Sequence, residues 1–201
     1  MKKLSFIGAH CDDAEIWAGG TMLKHRDQGE EISIFLPADS EREMQHLEEQ
    51  RASCEKGGFS YLLYETRKDL IEKLTAIAPD ILITHWDDDT HRDHRRVSQD
   101  VIEAAKRCMR TTEKPTELYF CTTYNGLGLH GDFAPDHYVN IEPYIDRKNE
   151  LIRCFEGKSP EHWIRYATVL HELYGFRCRC KQAEGFKRFG LLGYYGAGST
   201  L

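Results

Sequence analysis

His10-Cys11-Asp12-Asp13-Ala14-Glu15 sets an imidazole beside two adjacent carboxylates, and Asp87-Asp88-Asp89-Thr90-His91-Arg92-Asp93-His94 sets two more imidazoles among four acids. Such groups repel phosphate and suit a divalent cation. Adjacent carboxylates point in different directions, so one can ligate metal while its neighbour faces the reacting water. His91 and His94 face one pocket if a helical turn forms between them. His10, Asp13 and one of these two histidines would then supply N, O and N ligands and leave positions open, as a catalytic zinc requires. Asp12 and Asp13 as plain helix caps is the bland alternative for the first cluster taken alone. His-x-x-His is equally weak by itself in a chain with 10 histidines.

The elements around the two clusters tie them together. Residues 4–9 read as a first strand, 15–28 as a helix with Gly29 at its left-handed cap, and 32–36 as a second strand. Ser40-Glu41-Arg42-Glu43 fits a capping box that opens a helix to about Lys56. A weaker strand over 59–64, a helix over 66–78 and a strong strand over 81–86 follow. A helix marked by Val97, Val101, Ile102, Ala105 and Met109 leads to a strand at 118–122. The second half reads as a Gly-rich loop from Asn125 to Pro135, a short strand at 138–141, and helices over 143–155 and 160–173. Alternating strands and helices predict an α/β fold, a Rossmann-like three-layer sandwich with a mostly parallel central sheet, as one domain over 1–201. Both clusters then leave the carboxyl edge of that sheet, where ligands bind.

Composition narrows the function classes. The net charge of −6 argues against nucleic acid as a partner. No apolar run approaches the roughly 20 residues of a membrane span. The amino-terminal stretch reads as a buried strand rather than a signal peptide. The seven cysteines contain no Cys-x-x-Cys pair, which fits reduced thiols and a cytoplasmic location. A nucleotide-binding Rossmann protein would need a Gly-rich fingerprint after strand one, and Gly19-Gly20 comes too late for it.

The motifs resemble the PIG-L/LmbE-like zinc-dependent N-deacetylase family. His10-Cys11-Asp12-Asp13-Ala14-Glu15 looks like its His-Pro-Asp-Asp-Ala/Glu-Glu signature, and His91-Arg92-Asp93-His94 its His-x-Asp-His motif. Gln182-Ala183-Glu184-Gly185-Phe186 is similar to its carboxyl-terminal Tyr-Ala-Glu-x-Phe. The resemblance implies one Zn2+ held by His10, Asp13 and His94, with Asp12 as general base. It implies that His91 stabilises the oxyanion or protonates the leaving amine, and that Asp93 hydrogen-bonds His91. The substrate would be an N-acylated small molecule, foremost an N-acetylamino sugar or glycoside, and members often form homo-oligomers. Cys11 stands where the family has Pro, His46 aligns with a sugar-binding Arg for which Arg42 or Arg51 could substitute, and Gln182 replaces an oxyanion Tyr. The family's Asp-x-Pro-Asp-Gly stretch after strand three is missing. These departures touch the substrate side more than the metal side.

Further candidates are His130 in the Gly-rich loop, which could serve as a substrate lid, and His85 at the end of strand four, read as orienting the loop. Cys178-Arg179-Cys180 reads as a strand with both thiols on one side. The apolar tail from Phe189 to Gly196 is a cover for the pocket or an oligomer contact. The rival readings are hydrolysis of another N-acyl or amide compound and a non-catalytic, metal-retaining binding protein.

Overall fold

The computed structural model describes residues 1–122 and 124–191, apart from the side chain of Arg42. It contains β1 (Lys3–Ile7), α1 (Asp13–Asp27), β2 (Glu31–Pro37), α2 (Glu41–Met44), α3 (Leu47–Gly57), β3 (Ser60–Tyr64) and α4 (Arg67–Ile77). Then come β4 (Ile81–His85), α5 (Arg92–Thr112), β5 (Glu117–Cys121), β6 (His137–Asn140), α6 (Ile145–Ile152), α7 (Pro160–Cys178) and β7 (Ala183–Phe189). One sheet holds all seven strands in the order β3-β2-β1-β4-β5-β7-β6. The first five are parallel; β7 runs antiparallel to both β5 and β6.

The parallel strands are apolar on both sides, as burial between two helical layers demands. Leu4, Phe6, Ile34, Ile81 and Ile83 pack with Trp17, Met22 and Leu23 of α1 and with α6 and α7 on one face. Ile7, Phe35, Leu82, Leu118 and Phe120 pack with Leu70, Leu74, Val97 and Val101 of α4 and α5 on the other. The strand order reverses between β1 and β4, so the loops leaving these two strands diverge to opposite faces and open a crevice. Both sequence clusters leave their strands there.

Close packing of α1 depends on Gly20. A Cβ at this position would lie 2.5 Å from Cγ2 and 2.6 Å from Cβ of Ile141. Gly20→Ala is expected to cost about 1–3 kcal/mol through overpacking; a urea midpoint unchanged from wild type would contradict the close approach. Gly29 adopts the left-handed conformation expected of it, with φ +83°.

Three features depart from the sequence reading. The single helix expected from Ser40 to Lys56 is divided into α2 and α3, with His46 as the N-cap of α3. Ser40 does cap α2, its hydroxyl accepting from the Glu43 amide at 3.3 Å. The reciprocal half of the capping box is absent because the Glu43 carboxylate is drawn to the Cys11 amide instead. Second, Cys178 ends α7 rather than lying on a strand, and Arg179 at φ +63° turns the chain. The two thiols still meet, with Sγ atoms 3.4 Å apart. Third, β7 occupies an interior place in the sheet that no strand expectation covered. Of the apolar tail, the part from residue 192 onward lies outside the described residues. Among the described residues no helix is long and apolar enough to cross a membrane.

Candidate metal centre and its cavity

The turn between β1 and α1 carries the first cluster. Asp12 is the N-cap of α1 at φ +94°, ψ −25°. Left-handed backbone costs a non-glycine residue of order 1–3 kcal/mol and is kept where the surroundings over-determine it. Here it lets Asp12 and Asp13 diverge. Asp13 turns under the loop, where its Oδ2 accepts from the amides of Ala9 (3.0 Å) and His10 (2.7 Å). His85 Nε2 also reaches that oxygen, at 3.0 Å. Oδ1 is left toward His94 Nε2, 3.6 Å away.

His94 lies in the first turn of α5 and is fully buried. Its Nδ1 meets Asp89 Oδ2 at 2.7 Å, which fixes the ring orientation and leaves Nε2 for a ligand. Asp89 also takes the His91 amide at 2.7 Å, so one buried carboxylate shapes the whole second cluster. His94 stacks on His85 with ring centroids 3.7 Å apart. His94 Nε2 lies 3.3 Å from His10 Nδ1, which lies 3.4 Å from Asp13 Oδ2.

These separations test the fit of a metal. Ligand bonds of about 2.0–2.1 Å at tetrahedral angles put neighbouring donor atoms about 3.3 Å apart. His10 Nδ1 and His94 Nε2 match that spacing at 3.3 Å, while Asp13 reaches His10 with Oδ2 at 3.4 Å and His94 with its other oxygen, Oδ1, at 3.6 Å, so one carboxylate oxygen must turn to serve both. The donor set of two imidazoles and a carboxylate is one that zinc accepts. Ligand-capable atoms of His10, His91 and His94, and those of Asp13, His85 and His94, likewise lie within 4.8 Å of one another. His85 is spent on orienting Asp13.

The electrostatics divide the two carboxylates. Burial alone would raise Asp13, but the imidazoles of His85, His94 and His10 outweigh it and hold Asp13 well below the usual carboxylate range. Burial raises Asp12 well above that range, helped by the charge of Asp13 and opposed by Lys158. Burial, with His85 beside it, pushes His94 down to about 4, so its ring is neutral. For His10, burial acts downward, but Asp13 raises the ring to about 9.

A cavity of about 340 Å³ opens over this cluster, lined by Asp12, His91, His46, Lys158 and an aromatic wall of Trp17, Tyr124 and Trp163. His91 caps α5, its Nδ1 accepting the Asp93 amide at 3.2 Å. In the neutral ring the hydrogen is therefore on Nε2, available to an oxygen in the cavity. Tyr124 stacks on His94 at 5.5 Å and contacts Trp163 at 5.4 Å.

The residues read from sequence distribute unevenly. His10, Asp12, Asp13, His91 and His94 converge, and His46 lines the cavity while bonding Glu49 at 2.5 Å. The Asp93 side chain faces His10 Nε2 at 3.7 Å and not the His91 ring, because its backbone amide already occupies His91 Nδ1. His130 is largely exposed and bonds Asp88, since its loop folds onto Trp86 through Gly128; it does not line the cavity. Gln182 lies outside the cavity as well, in a separate surface depression with Glu142, Ile145 and Glu172. The side chain of Arg42 is outside the described residues, and Arg51 pairs with Glu48 and Glu55 on the surface. Cys11 is buried and turned toward Glu43, and burial keeps it a thiol. Glu43, Lys158, Asp89, Tyr124 and Trp163 were not singled out from sequence; Asp89, two residues before His91 in an acidic loop, carried the clearest signal.

No family model matches the chain. A diacetylchitobiose deacetylase of Thermococcus kodakarensis is 24% identical over 221 residues, spanning 93% of this chain and 83% of that protein. Among solved structures, a 4-carboxy-2-hydroxymuconate hydratase from Pseudomonas putida KT2440 superposes with a TM-score of 0.82 at 19% identity, over 100% of both chains. An N,N'-diacetylchitobiose deacetylase from Pyrococcus horikoshii superposes with a TM-score of 0.76 at 22% identity, over 99% of this chain and 88% of that one. The chain is thus a sequence relative of diacetylchitobiose deacetylases and has the α/β fold of the PIG-L/LmbE-like deacetylases.

Proposed function

We propose that this protein is a metal-dependent N-deacetylase, most simply a zinc enzyme, acting on an N-acetylated amino sugar or a related small molecule. The observation that carries this reading is the convergence of His10, Asp13 and His94, with Nδ1 of His10 and Nε2 of His94 3.3 Å apart and the Asp13 carboxylate beside both, and a second carboxylate, Asp12, on the cavity side. A divalent cation held by His10, Asp13 and His94 would supply Lewis acidity, lowering the pKa of a water and polarising the amide carbonyl. Asp12, whose carboxyl pKa is raised by burial and by the charge of Asp13, faces the cavity and would receive the proton of the attacking water. His91 donates from Nε2 to the carbonyl oxygen as charge develops there. Asp93 fixes the His10 ring. The wall of Trp17, Tyr124 and Trp163 offers apolar faces to a pyranose ring and keeps water from the scissile bond.

The test is release of free amine and acetate from a panel of N-acetylated sugars by the zinc-loaded protein and by a chelated control. Amine release from the loaded protein alone supports the reading; its absence across the panel opposes it. A second reading, addition of water to a conjugated double bond, is favoured by the end-to-end superposition on a hydratase. It would show as loss of ultraviolet absorbance of an unsaturated carboxylate without amine release.

Metal binding should displace a proton from His10. With its ring raised to about 9, His10 is protonated at pH 7.5, whereas His94, lowered to about 4, is already neutral. Close to one proton per zinc from this ring is expected, and apparent affinity should rise with pH until about 9, then flatten. Calorimetry in buffers of different ionisation enthalpy measures the release; a value near zero at pH 7.5 would contradict a protonated His10 among the ligands.

A further inference from the structure

Asp12 itself makes no side-chain capping bond in α1. Its unusual backbone is held from outside, by two charged residues with no part in ligating metal. Glu43, 6% exposed, takes the Cys11 amide on Oε2 at 2.8 Å. Lys158 Nζ donates to the same Glu43 oxygen at 2.7 Å and to the Cys11 carbonyl at 2.7 Å. The same ammonium lies 3.4 Å from Asp12 Oδ1. Both polar groups of the Cys11 backbone are thereby clamped, and the residue that follows them is the one at positive φ.

The clamp has its own foundation. Lys158 closes a single 3-10 turn, Glu156–Lys158. The Gly157 amide in that turn donates to Glu49 Oε1 at 2.8 Å, while the other Glu49 oxygen bonds His46 Nδ1 at 2.5 Å. A Cβ on Gly157 would sit 2.9 Å from His46 Cε1, so the turn rests directly on that ring. The break between α2 and α3 is what lets Glu43 and His46 each face this turn.

We propose that Glu43 and Lys158 are positioning residues for Asp12, joining α2 and the 3-10 turn to the β1–α1 loop so that the Asp12 carboxylate is aimed into the cavity. The ammonium also screens Asp12 from Glu43, two carboxylates that would otherwise share a small buried space and repel. The positioning claim is structural; its kinetic consequence rests on the hydrolase reading above.

The experiment compares zinc-loaded wild type, Lys158→Met, Lys158→Arg and Glu43→Gln by crystallography, zinc titration and kinetics. Lys158→Met removes the charge and keeps most of the stem, and Glu43→Gln is isosteric, so at least one of the pair should fold. Expected are zinc still bound at close to one per chain, because no proposed ligand is removed, and an Asp12 carboxylate swung away from the cavity. Turnover should fall about 10–100-fold with KM within about threefold, the mark of a misplaced reacting group. Lys158→Arg should recover most of the loss. An Asp12 unmoved in both Lys158→Met and Glu43→Gln overturns the proposal whatever the kinetics. A displaced Asp12 in variants of a wild type that releases no amine would uphold the positioning and sink the deacetylase reading instead.

Discussion

Asp12→Asn lowers amine release by about 10²–10⁴-fold, the span expected when a general base is lost, while zinc content stays at the wild-type level. The expectation follows from the division of labour between neighbours. Asp13 is held well below the usual carboxylate range by neighbouring imidazoles and is bonded to two amides, which suits the ligand role proposed for it. Asp12 sits apart from those imidazoles, raised by burial and by Asp13, so it is suited to accept a proton. Turnover and metal content, measured on one preparation, check it. Loss of both together would make Asp12 a ligand, and retention of both would remove it from the chemistry.

The second large effect concerns stability. Lys148 and Glu184 are an almost wholly buried ion pair, Nζ to Oε1 2.5 Å, at 1% and 0% side-chain exposure. Lys148 also donates to the Ile16 carbonyl at 2.8 Å, and Glu184 accepts from the Gly20 and Thr21 amides at 2.9 and 2.8 Å. Lys148→Met strands a carboxylate in the core behind α1 and should cost about 3–5 kcal/mol. For a chain of this size that lowers Tm by about 10 °C. Lys148→Met combined with Glu184→Gln should recover part of the loss, because no buried charge is left unpaired. Urea unfolding of the three variants decides the matter, and a single-variant loss below about 1 kcal/mol would contradict the argument.

The fold and the convergence of the two sequence clusters were legible for the same reason: both are encoded locally. Apolar runs such as Ile81–Ile83 announce buried parallel strands, and His10, Asp13 and His94 sit within a few residues of strand ends. The strand order then places them together without further information. What escaped is what depends on long-range partners. Glu43 has the sequence context of a capping box, and nothing near it discloses the Cys11 amide it serves across the cavity. Lys158 is one lysine among many until the 3-10 turn sets it against Asp12. Gln182 was aligned with a catalytic position by motif, but it lies with Glu142, Ile145 and Glu172, outside the cavity. Asp93 was read as a partner for the His91 ring; helix capping took that nitrogen for the backbone.

The position of β7 governs the order in which the molecule can be made. The strand enters between β5 and β6, and its Glu184 closes on the amides of Gly20 and Thr21, 164 and 163 residues earlier. During synthesis β1 to β5 can pair as they emerge, but Glu184 cannot close on those two amides until residues 183–189 have cleared the ribosome. Contacts so distant in sequence form slowly. A nascent chain therefore carries His10, Asp13 and His94, the donors proposed above, before Glu184 closes on the helix bearing Asp13. Termination between His94 and Ala183 would leave a chain with all three proposed donors but without this closure, and so prone to aggregation.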